Sequence, residues 1–161
     1  MPKVIVNSTP LIVLSNIQHL DILQKLYDEI YIPQAVFDEV TAKIDSACQE
    51  LLRDKDWIHI CKITDKSQKR MYQAKLHSGE VEVMILAQEI PAADLVILDD
   101  NAAKKTAKFL GLKVTGTLGV LLKAKKLGFL NNITHLLDQM VHNGFYITPE
   151  IKKLVLTEAG E

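Results

Sequence analysis

The run Leu95-Val96-Ile97-Leu98, continuously apolar and closed by Asp99-Asp100, constrains this chain more than any other segment. A strand with one face in water alternates apolar and polar residues, whereas a strand covered on both faces does not. Two adjacent carboxylates cannot extend such a buried run. The strand therefore ends there, with both acids at its carboxyl end. Asn101 to about Leu110 then reads as helix, with Gly111 as its stop, and Leu112–Thr115 as the next strand. Strand, helix and strand at this spacing form a parallel crossover.

The same rhythm recurs upstream. Lys3-Val4-Ile5-Val6 is a short apolar strand, and Asn7-Ser8-Thr9-Pro10 offers a helix start with capping oxygens and a proline in the first turn. Leu11, Leu14 and Ile17, then Leu20, Leu23 and Leu26, keep helical spacing. Ile30-Tyr31-Ile32 is a second strand, and Pro33 opens a helix expected to run through Val36, Val40 and Ile44. Trp57-Ile58-His59-Ile60 reads as a further strand at a sheet edge. Helices are predicted across roughly 66–76 and 79–90, and near 117–127, 131–142 and 149–157. The fold class that follows is α/β: a three-layer α/β/α sandwich on a central, mostly parallel sheet. The 161 residues suit a single domain, 1–161, with no linker, repeat or low-complexity tract.

In such sheets ligands bind beyond the carboxyl ends of the strands. Asn7 and Asp99/Asp100 lie at those ends. The turn Ser78-Gly79-Glu80-Val81-Glu82 opens a helix whose dipole favours acids in its first turn. Such acids also occur for structural reasons alone. Adjacent carboxylates beside an apolar core repel each other and call for a cation or for hydrogen bonds, so one of Asp99 and Asp100 is read as a helix cap and the other as a metal ligand. Glu39 stands among Val36, Phe37 and Val40 on its helix, where an ordinary exposed acid is equally at home. Oxygen ligands without Cys or His suit Mg²⁺ or Mn²⁺ rather than zinc. His19, His59, His77, His135 and His142 show no metal-binding spacing. Cys48 and Cys61 form no disulfide framework, which fits a reducing, cytoplasmic setting. No apolar run reaches the length of a membrane span, and the N-terminus lacks the pattern of a signal peptide.

Net charge is −1 and names no partner, but its distribution is uneven. Between Asn101 and Leu137 stand Lys104, Lys105, Lys108, Lys113, Lys123, Lys125 and Lys126 with no Asp or Glu. Such a block either solvates helix faces or meets phosphates beside the acidic pocket. No aromatic stacking set accompanies it, so base-specific readout is not expected.

Four segments in order carry a resemblance: NSTPLIVLSNI, YIPQAVFDEV, SGEVEVMILA and LVILDDNAAKKTAKFLGLKVTGTLGVLLKAKKLG. Over roughly residues 3–130 they resemble the PIN-domain superfamily, and within it a prokaryotic subgroup of nucleic-acid-binding, toxin-like proteins. Residues 131–161 stand outside the resemblance as a helical extension. It implies a Mg²⁺- or Mn²⁺-dependent endoribonuclease hydrolysing single-stranded or structured RNA, often a dimer, in some cases paired with an antitoxin protein. The family's first acid falls on Asn7 and its second on Glu39. The third falls on Glu80 or Glu82, the local motif favouring the former and spacing to Ile85 and Ala87 the latter. The fourth falls on Asp99 or Asp100, and Ser8 and Thr117 match hydroxyls lining the pocket. Lys104, Lys105 and Lys108 are the substrate-contact candidates. Asn7 departs from the pattern: an amide oxygen can ligate a cation but carries no charge and cannot act as a base. A PIN-like module that binds RNA or protein without turnover is therefore the alternative.

Overall fold

The computed structural model describes residues 3–53, 55–69 and 76–161. Its centre is a five-stranded sheet in the order β3-β2-β1-β4-β5, formed by β1 (Lys3–Val6), β2 (Ile30–Pro33), β3 (Ile58–Cys61), β4 (Ala93–Ile97) and β5 (Lys113–Thr115). All neighbouring strands are parallel. The apolar run at 95–98 becomes β4 and the residue beyond it. Val96, Ile97 and Leu98 are fully buried, as are Ile5 and Val6 beside them. Each such side chain contributes about 1.5–3 kcal/mol of burial.

Nine α-helices among the described residues complete a three-layer α/β architecture: α1 (Ser8–Asn16), α2 (Ile22–Tyr27), α3 (Gln34–Thr41), α4 (Ser46–Leu52), α5 (Ser78–Glu89), α6 (Asn101–Phe109), α7 (Thr117–Lys126), α8 (Thr134–His142) and α9 (Pro149–Ala159). Right-handed crossovers put the β1–β2 and β2–β3 connections on one face of this strand order, and those leading to β4 and β5 on the other. The order reverses between β1 and β4. A crevice at their carboxyl ends follows from that topology.

Four expectations need correction. The helix after Pro33 does not reach Ile44; it ends at Thr41, whose hydroxyl donates to the Phe37 carbonyl (2.7 Å), and Ile44 is 93% exposed. The Asp45 carboxylate accepts from the Cys48 N–H (2.9 Å) and starts α4, a helix not expected from the sequence. The leucine spacing after Asn7 is split between α1 and α2, because Gln18 adopts a left-handed conformation (φ 61°). Finally, α8 begins at Thr134 rather than 131. Its first amides, Ile133 N–H and Thr134 N–H, donate to the side chain of Glu161, which also takes Lys125 Nζ at 2.7 Å. Within the helix expected at 66–76, Lys66–Gln68 form a 3₁₀ turn and residues 70–75 lie outside the described ones. Among the described residues no helix is long and apolar enough to cross a membrane. Cys48 and Cys61 are both free.

Candidate functional site

Sheet register brings the first and fourth candidate positions together. Val6 pairs with Ile97, and the Asn7 N–H donates to the Ile97 carbonyl at 2.9 Å. The Leu98 N–H in turn donates to Thr115 O at 3.0 Å, which holds the chain to Asp99 in line with β5. Asn7 is the residue before α1, but its side chain does not cap that helix, contrary to the expectation for the Asn7-Ser8-Thr9 start. Its Oδ1 is buried and has no hydrogen-bond donor among the described residues. An acceptor left so costs about 1–3 kcal/mol unless water or a cation meets it. Ser8 is buried beside it.

The opposite wall is the start of α5. Gly79 stands close to both Glu39 and Asn7: a Cβ there would lie 2.9 Å from Glu39 Oε2 and 3.5 Å from Asn7 Oδ1. Glu39 and Asn7 thus face one point from two different elements. Glu80 is buried, and its Oε1 accepts from the His77 N–H at 3.0 Å. Burial is the main cause that pushes the Glu80 carboxyl above its usual range. The Asp100 and Glu39 charges act in the same direction, against the His77 N–H bond. Three acids therefore share one electrostatic environment with the Asn7 amide.

Glu82, equally buried, is engaged elsewhere. It accepts from the Ala35 N–H at 3.1 Å, in the first turn of α3, and pairs with Lys69 Nζ at 3.0 Å. The two alternatives left open at this turn have different partners: Glu80 senses the pocket acids, and Glu82 ties α5 to α3. No sequence signal pointed to Lys69.

The Asp99-Asp100 pair also divides. Asp100 is the N-cap of α6, its Oδ2 accepting from the Ala103 N–H at 2.9 Å. Asp99 points toward α7, where it accepts from the Thr117 N–H (2.8 Å) and hydroxyl (2.7 Å). Gly116 makes room for this contact, since a Cβ there would lie 2.7 Å from Asp99 Oδ1 and 3.1 Å from Lys104 Nζ. Lys104 is the lysine of the basic block that stands next to an acid of the crevice. Lys105 and Lys108 are exposed on α6. The block is less free than its sequence implies: Lys113 pairs with Asp94 at 3.4 Å, Lys125 with Glu161, and Lys123 lies over the Tyr27 ring at 4.6 Å.

Among the described residues no three His, Cys, Asp or Glu side chains form a metal-ligating group. The donors that face one another, an amide oxygen and carboxylates, are nonetheless of the type a hard divalent cation takes. The unpartnered Asn7 Oδ1 is the atom that such an ion would satisfy. Asn7, Glu39, Glu80 and Asp100 are the residues whose chemistry fits it.

No curated protein matches the chain. The family model described as PIN domain matches residues 3–161, which takes in α8 and α9 beyond the reach of the sequence resemblance. The all-parallel sheet and the acids at its carboxyl ends agree with that match, and the chain belongs to the PIN-domain family.

Proposed function

We propose that this PIN-domain protein is a divalent-metal-dependent endoribonuclease whose pocket is formed by Asn7, Glu39, Glu80 and Asp100. The observation that carries this reading is the buried, unpartnered Oδ1 of Asn7, set against acids at the crevice between β1 and β4. When bound, Mg²⁺ or Mn²⁺ would supply Lewis acidity toward the phosphodiester and lower the pKa of an attacking water.

The chain's own residues have separate tasks. The carboxylates of Glu39, Glu80 and Asp100 provide the negative field that selects a cation. Glu80, held as a weaker acid than usual by burial and by the neighbouring acids, keeps a proton to higher pH than an exposed glutamate does. Thr117 fixes Asp99, and Asp99 stands beside Lys104, whose ammonium offers charge to a phosphate at the rim. Lys105 and Lys108 extend that charge along α6. Asn7 keeps one ligand position neutral, so the pocket carries one negative charge fewer than its family pattern. That lower charge supports a second reading, a module that holds RNA with little turnover.

The test is cleavage of single-stranded RNA with Mn²⁺ or Mg²⁺. Glu80→Gln should lower the rate by about 100-fold or more, the scale of losing a group that stabilises transition-state charge. Glu82→Gln should leave the rate near wild type and reduce stability. Equal cleavage in excess chelator, or full activity in Glu80→Gln, would overturn the assignment.

A further inference from the structure

A second cleft, of about 680 Å³, opens between the end of α1 and the outer face of α8. Its polar lining includes Gln18, His19, His135, Gln139, His142 and Asn143. His135 and His142 are seven residues apart on α8, two helical turns, so they share one face. Neither imidazole, nor the amides of Gln18, Gln139 and Asn143, has a hydrogen-bond partner among the described residues. The one acid in the lining, Asp138, is paired with Lys152 at 2.8 Å. Gln18 takes a left-handed backbone (φ 61°) as part of the cap that ends α1, its N–H donating to the Ser15 carbonyl and the His19 N–H to the Leu14 carbonyl.

This chemistry excludes several occupants. No metal-ligating group of three forms here among the described residues. Ile17 and Leu136 in its lining are almost fully buried, and the lining holds none of the Trp, Tyr or Arg side chains that most often anchor protein–protein contacts. Side-chain amides and imidazoles are instead what a single-stranded nucleic acid meets when its bases are splayed: amides read base edges, and imidazoles stack on base faces. The cleft also connects to the pocket end of the molecule. A smaller groove shares Asn16 and Asn143 with it and extends along α1 to Thr9, two residues from Asn7. Thr9 and Asn16 are separated by about 10 Å at the helical rise.

We infer that this cleft is a base-binding subsite for single-stranded RNA, receiving the strand that runs along α1 from the acidic pocket. The inference rests on the reading of that pocket as an RNA site. It assigns base contact to a surface separate from the lysine block on α6.

The test is fluorescence anisotropy with a short, labelled single-stranded RNA, measured in Ca²⁺ and again in excess chelator. The triple variant His135→Ala/Gln139→Ala/His142→Ala removes exposed side chains only, and unchanged thermal melting will show that it folds. It should bind about tenfold more weakly, the loss expected when one stacked base is given up. RNA carrying 4-thiouridine should photo-crosslink to wild-type residues of the α8 face or of the segment 16–19. If the triple variant binds as tightly as wild type, or the crosslinks fall only near α6, the cleft is no RNA subsite, while the pocket assignment stands. If wild type binds no RNA in either condition, both assignments fail. A wild-type dimer that the triple variant converts to monomer would show the cleft to be an interface between copies and would overturn the subsite.

Discussion

Asn7→Asp restores the carboxylate that the family pattern places after the first strand, and the structure says what this does in the absence of metal. Asn7 is 4% exposed, and its Oδ1 and Glu39 Oε2 both lie within 3.5 Å of one point above Gly79. At the widest separation those distances allow, about 6 Å, two unit charges repel by roughly 3 kcal/mol at an effective dielectric of 20, and by under about 1 kcal/mol in bulk water. Glu39 is exposed, which pulls the value down. Desolvation of a new buried carboxylate pushes it up. A net loss of about 1–3 kcal/mol in chelator follows, or roughly 3–10 °C in Tm for a chain of this size. A cation reverses the sign. At a hundred times its Kd, Mn²⁺ adds about 2.7 kcal/mol to whichever protein binds it, and the variant's added charge gives it the tighter site. Thermal melts of both proteins, with chelator and across a Mn²⁺ titration, read the two effects directly. A variant no less stable than wild type in chelator would show that position 7 does not face the acids. Equal Mn²⁺ stabilisation of both proteins would show that it is not a ligand position.

Two further predictions concern groups held by hydrogen bonds. Thr117→Val keeps the side-chain shape and the backbone N–H but removes the 2.7 Å bond from a fully buried hydroxyl to Asp99; urea unfolding should show a loss of about 1.5–3 kcal/mol, the range for bonds to charged groups. Glu161 has its carboxyl lowered from 4.5 to about 2, first by Lys125 and then by the Thr134 hydroxyl. A depressed acid stabilises above its unfolded value and loses that contribution as pH falls through its folded one, so the Tm gap between wild type and Glu161→Gln, open at neutral pH, should narrow below pH 4.5 and close near pH 2. A gap independent of pH would mean that the Glu161 charge does not matter.

The parts of the fold legible in the sequence were those carried by local pattern. β4 announced itself through Leu95–Leu98 because burial on both faces leaves no polar alternation, and Gly111 (φ 81°) stops its helix where expected. α4 was missed because its start depends on a competition invisible to periodicity: the Asp45 carboxylate captures the Cys48 N–H, and Ile44 is left in water although its spacing suits a continued α3. α8 starts late for a non-local reason, since the group that caps it comes from residue 161. In the site, the sequence listed the acids but could not sort them. Glu80 and Glu82 are two residues apart and share the same helix turn; only Lys69 and the Ala35 N–H, both distant in sequence, separate their roles. Asp99 and Asp100 are likewise told apart by Thr117 and Ala103. The lysine block misled in part, because Glu161 and Asp94 lie outside the window in which acids were lacking.

The β1–β4 pairing has a consequence in time as well as space. Asn7 reaches the pocket only by donating to Ile97, a residue about 90 positions later in the chain. At synthesis rates of roughly 5–20 residues per second, the N-terminal third waits for several seconds before its partner strand exists. Central parallel pairing between such distant segments is also slow to form once both are present. A nascent fragment ending before Ala93 holds Asn7 and Glu39 with no fourth strand to gather them, so the acidic pocket stays unassembled until β4 has been made.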